Sequence, residues 1–112
     1  MSLRIDRLLA DGLAAFPPSQ LEDLVGELEI RARTTGLVAP LLVASAIRQI
    51  SDRLKELDGE GGPAKTMVEA LDAAIRVRIP EIANGDPLNA ANAAFLLRDD
   101  VDSIIRPSYG NR

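Results

Sequence analysis

The residues that come nearest to a known chemical arrangement are Gly59-Glu60-Gly61-Gly62-Pro63-Ala64-Lys65-Thr66. Their order approximates the phosphate-cradling pattern G-x-x-x-x-G-K-[ST], in which backbone N–H groups wrap a phosphate and the lysine reaches its outer oxygens. Ala64 stands where the second required glycine belongs, and Pro63 takes one N–H out of the cradle. That chemistry also needs a buried strand before the loop and a helix after it. The preceding stretch, Ile50 to Leu57, has helical spacing instead, so an ordinary interhelical loop is expected. Lys65 is a candidate for contact with an anion only.

Asp99, Asp100 and Asp102 form the densest acid cluster. A calcium loop counted from Asp100 would need Gly at its sixth place and Glu at its twelfth, and the chain offers Ile105 and Asn111. On a helix Asp99 and Asp102 are neighbours while Asp100 points elsewhere, so a solvated helix surface is expected, with a Mg²⁺ site as the lesser alternative. Arg78 is the most informative single charge. At 100° per residue it falls among Leu71, Ile75 and Ile82, where an unpaired guanidinium is costly to bury. It must either extend to solvent or to a carboxylate such as Glu81, or stand at the mouth of an interhelical groove and hold an anion.

Other chemistries are closed by composition. The chain has no Cys and no His, which excludes thiolate and imidazole metal sites, Cys nucleophiles, Ser-His-Asp triads and disulfides. Seventeen carboxylates are present, yet a catalytic carboxyl is distinguished by its environment, which sequence does not display. No cofactor is expected. Phe16, Phe95 and Tyr109 are too few aromatics for a base-stacking platform, and a net charge of −4 repels phosphate backbones, so no nucleic acid is expected as partner. No apolar run approaches the roughly 20 residues that span a bilayer, and Met1 to Asp6 lacks the look of a secretory signal. A cytoplasmic protein without a membrane partner is the expectation.

The elements that must position these residues read as helices. Ile5, Leu8, Leu9, Gly12, Leu13 and Phe16 share one side of a helix over about 3–15, which Pro17-Pro18 ends. Ser19 and Glu22 have the spacing of a capping box opening a second helix over about 20–34, with Leu21, Leu24, Val25, Leu28 and Ala32 on one face and Gly36 closing it. Ile30 points the other way. Val43, Ile47, Ile50, Leu54 and Leu57 give a third helix, over about 40–57, the clearest apolar stripe, and Gly59 occupies the place of a left-handed cap. Met67, Val68, Leu71, Ala74, Ile75 and Ile79 make a fourth over about 64–79, which Pro80 should stop or kink. Asp86-Pro87 opens a fifth over about 87–105, although Asp99-Asp100 can equally cap a separate short helix.

The fifth segment is apolar nearly all round, interrupted by Asn89 and Asn92, which implies contacts on several sides. In 112 residues there is room for one core. The expectation is therefore a single all-α antiparallel bundle of four to five helices over 1–105, with 106–112 as a tail, and no motif carries a family resemblance. The expected function is a non-enzymatic helical interaction module, an adaptor, regulator or inhibitor, whose partner is another protein or a second copy in a homodimer. Its interface is expected at Asn89, Asn92, Ala93, Leu96 and Ile30. A bundle that binds a small ligand or anion through Arg78 or the Gly59–Thr66 loop is the alternative, and a carboxylate-based enzyme comes third.

Overall fold

The computed structural model describes residues 3–59 and 61–106. Among them the elements are α1 (Leu3–Asp11), a 3-10 turn (Leu13–Ala15), α2 (Pro18–Thr35), α3 (Ala39–Asp58), α4 (Lys65–Asn84) and α5 (Pro87–Ile105), with no strand. The fold is an all-α bundle, as expected. Of the tail expected over 106–112, only Arg106 lies inside the described residues.

Apolar spacing decides how the helices pack. The third-helix stripe is the centre of the molecule: Val43, Ile47 and Ile50 are fully buried, and Leu54 packs partly buried against them. α3 touches α2 on one side and α5 on the other, α5 touches α4, and the 3-10 turn leans on α4. Arg4 closes the ring by bridging α1 to Asp23 and Glu27 of α2. One groove gathers Leu37, Ala39, Pro40, Ile82 and Pro87, so the α2–α3 and α4–α5 turns lie at the same end. α3 and α5 both begin there. Ala90, Ala93 and Ala94 are the buried residues in the first half of α5, and such short side chains let its backbone come close to its neighbours α3 and α4. Each fully buried Leu or Ile stabilises the fold by roughly 1.5–3 kcal/mol, so these seams hold it. Surface pairs such as Arg48–Glu29, 3.2 Å apart, and Lys55–Glu22 add at most about 1 kcal/mol each and mainly orient α2 on α3.

Several helix ends differ from the expected ones. The first helix stops at Asp11 rather than near residue 15, because Gly12 turns to φ 83° and sends the chain into the 3-10 turn. The Leu13 N–H freed by that turn donates to Asp72 of α4 at 2.9 Å. The Ser19–Glu22 capping box does not form. Pro18, whose ring presets helical φ, begins α2, and the Pro17 carbonyl accepts the N–H groups of Gln20 and Leu21, which leaves Ser19 inside the first turn. Gly36 caps α2 in the left-handed region as expected. Gly59 does not play that part for α3: its φ is −72°, and the Gly62 N–H reaches back to the Leu57 carbonyl at 2.7 Å.

Pro80 neither stops nor shortens α4, which continues to Asn84. The proline and Arg76, whose carbonyl loses its helical donor, both lie on the exposed side, while Ile79 and Ile82 are buried and anchor the turns around the break. In α5 the Asp86 carboxylate accepts the Asn89 N–H at 2.9 Å, the expected cap, and Asp99 and Asp100 lie within one continuous helix.

Candidate functional site

Arg78 resolves into a bridge. Its Nε donates to Asp100 of α5 at 3.2 Å and its Nη1 to Glu81 of α4 at 3.1 Å, with the side chain 23% exposed. The hydrogen bond to Asp100 is the largest of the causes that raise its pKa above the ordinary arginine value. The guanidinium at the α4–α5 seam is thus matched by two carboxylates, and an incoming anion would have to displace them. Lys65 is exposed at the start of α4, and α3 precedes its loop where a phosphate cradle needs a strand. The Gly62 N–H, which such a cradle would aim at phosphate, already serves Leu57.

The acid cluster is divided. Asp100 holds Arg78, and Asp102 is joined to Arg106, whose hydrogen bond is the largest cause lowering the Asp102 carboxyl below its ordinary pKa. Asp99 faces outward from α5 and has no partner among the described residues. No group of three or more acidic side chains is placed to hold a metal ion among the described residues.

What the fold does assemble is an apolar face on the outside of α5. Its helix turns Ala90, Ala93, Ala94, Leu97 and Val101 into the bundle and leaves Leu88 71%, Phe95 52% and Leu96 44% exposed. Asn89 and Asn92 are exposed on the same outer side. Of the residues expected at an interface, Asn89, Asn92 and Leu96 therefore come together. Ala93 does not join them: only 5% exposed, it belongs to the core of a single chain. Ile30 is 57% exposed but stands on α2, beyond α3 from α5, so it belongs to another surface.

Sequence reasoning missed Phe95 and Leu88 as surface residues, and also Val77 on α4 and Leu41 on α3, all exposed. The signal for Leu41 was present, since it sits seven and eleven residues before Arg48 and Asp52 on the polar side of α3. At the other end of the bundle, Leu13, Phe16, Leu54, Pro63 and Val68 line a groove of about 570 Å³, rimmed by Lys55 and Asp58. Lys55 is already paired with Glu22. No helix among the described residues is long and apolar enough to cross a membrane. Comparison with protein-family models, with curated proteins and with solved structures gives no match.

Proposed function

We propose that this chain is a non-enzymatic protein–protein interaction module that docks through the outer face of α5. The observation that carries the reading is the joint exposure of Leu88, Phe95 and Leu96 along that helix. Contiguous apolar surface of several hundred Å² on a small protein marks sites of association, and an exposed aromatic is a favoured anchor because it buries much area at low entropic cost. Asn92 beside them supplies hydrogen bonds that fix how a partner sits, while the Asn89 amide already donates to Asp86 at the helix start. Arg78 acts as a structural bridge behind this face, and Lys65 as a solvated helix-start residue. The expectation of a cytoplasmic setting, free of nucleic acid and membrane, belongs to the same reading.

The test is the native size of the protein in its own lysate. Tagged parent protein at near-native abundance, chemically cross-linked in the intact cells so that a weak contact survives dilution, should elute well above its 12.0 kDa mass, and Phe95→Glu, with an unchanged circular dichroism spectrum, should elute as the monomer. A parent that elutes as a monomer, or a variant that elutes with the parent, would overturn the reading.

A further inference from the structure

Resting on that reading, we infer that the partner is a second copy of this chain, packed about a two-fold axis with α5 antiparallel to α5 and Phe95 of each chain against Leu96 of the other. The face is complementary to itself. A two-fold axis perpendicular to the helices brings the same patch from both chains together antiparallel, so the order of residues read forwards must fit the order read backwards. With the axis between residues 95 and 96, position 92 meets position 99 of the other copy. The outward residues of α5 at these places are Asn92, Phe95, Leu96 and Asp99, all exposed.

The chemistry fits at each step. Phe95 and Leu96 form a central apolar pair, repeated twice by the symmetry. Asn92 and Asp99 have no partner within the described part of their own chain, and across the axis each becomes the other's: the Asn92 amide donates to the Asp99 carboxylate at both flanks. A parallel pairing would instead set Asp99 against Asp99, a like-charge contact at the surface. One helix face per chain amounts to an interface under about 1,200 Å², the size of weak and reversible association, so the dimer should build up over micromolar to millimolar concentration. Each chain carries a net charge of −4, and added salt should strengthen the pairing by screening the repulsion between copies.

The chain has no Cys, which makes cysteine cross-linking unambiguous. Purified Asn92→Cys and Asp99→Cys proteins, mixed and oxidised, should form the mixed disulfide faster than either forms its own. Identical positions seven residues from their counterparts along the axis lie about 10 Å apart, beyond disulfide reach. Self-cross-links that outrun the mixed species would overturn the antiparallel register. Light scattering on the parent should rise from 12.0 kDa towards twice that mass over the stated range. Asn92→Asp should weaken dimerisation about tenfold by opposing two carboxylates at both flanks, and adding Asp99→Asn should restore it, with thermal stability of the dilute monomer unchanged throughout. A purified parent that stays monomeric at every concentration would sink self-pairing. If the lysate shift then still depended on Phe95, the interaction reading would stand with a different partner, and if that shift were absent too, both would fall.

Discussion

Three glycines differ in what a methyl group would meet, and replacing each with alanine should give three different outcomes. Gly26 lies inside α2, with nothing within 4 Å of an added Cβ. Alanine there removes backbone freedom from the unfolded chain at no steric cost, so Gly26→Ala should stabilise by about 0.5–1 kcal/mol. Gly36 caps α2 at φ 73°, also with open space around it. Gly36→Ala meets only the left-handed backbone penalty, roughly 1–2 kcal/mol. Gly12 adds a tight contact: at φ 83° its Cβ would stand 3.2 Å from Asp72 Oδ2, so the carboxylate whose other oxygen accepts the Leu13 N–H must give way slightly. Gly12→Ala therefore carries the same backbone cost together with about 1–2 kcal/mol from straining that hydrogen bond. Urea unfolding of the four proteins at fixed pH measures the series, and about 1 kcal/mol corresponds to a melting shift of roughly 4 °C for a domain of this size. If Gly12→Ala were no worse than Gly36→Ala, the contact between the 3-10 turn and α4 would not be a stabilising one. A destabilised Gly26→Ala would count against the helix itself.

Other substitutions test the core, the loop and the end of α5. Ile50 is fully buried and Leu54 only partly, so Ile50→Ala should cost about 2–5 kcal/mol and Leu54→Ala less, read from denaturant midpoints, and equal losses would contradict the packing. Calorimetry should detect no Mg-nucleotide binding, and Lys65→Ala should match the parent, whereas micromolar binding lost in the variant would restore the phosphate-loop reading. Asp102 has a folded pKa below its ordinary value of 3.8, so its link to Arg106 contributes stability above that pH and loses it as the pH falls through the lowered folded value. Side-chain NMR titration should place the Asp102 midpoint below 3.8 with fraying of the last turn of α5 following it, and a midpoint at or above 3.8 would refute the pairing.

Where periodicity is strong, the sequence foretells the structure. The spacing of Val43, Ile47 and Ile50 places α3 at the centre, and the Asp86 cap follows from one carboxylate before Pro87. Helix ends set by tertiary contact are hidden. Nothing local to Gly12 announces that Asp72, 60 residues away in sequence, will accept the next N–H and make a break there stable. Pro80 does not end α4 for a related reason: the carbonyl that loses its donor lies on the exposed side, and sequence does not say which side of α4 will be wet. Arg78 is a middle case. Spacing shows that it must find a counter-charge and even offers Glu81, but Asp100 becomes a partner only once α4 lies against α5.

The fifth helix is where the sequence withholds most. A segment apolar all round has no preferred face of its own, so the side it buries is decided by its packing on α3 and α4: Ala90, Ala93, Ala94, Leu97 and Val101 turn inward while Leu88, Phe95 and Leu96 are left outside. That division gives opposite expectations for the same substitution on two sides of one helix. Ala93→Glu puts a carboxylate into the core of a single chain and should lower stability by several kcal/mol while the molecule is still a monomer. Leu96→Glu puts it at a half-exposed position and should leave dilute stability within about 0.5 kcal/mol of the parent while abolishing association. Thermal melts at low concentration and light-scattering mass at high concentration separate the two effects. If Ala93→Glu folded normally, or if Leu96→Glu melted early and still associated, the inner and outer faces of α5 would have been assigned the wrong way round.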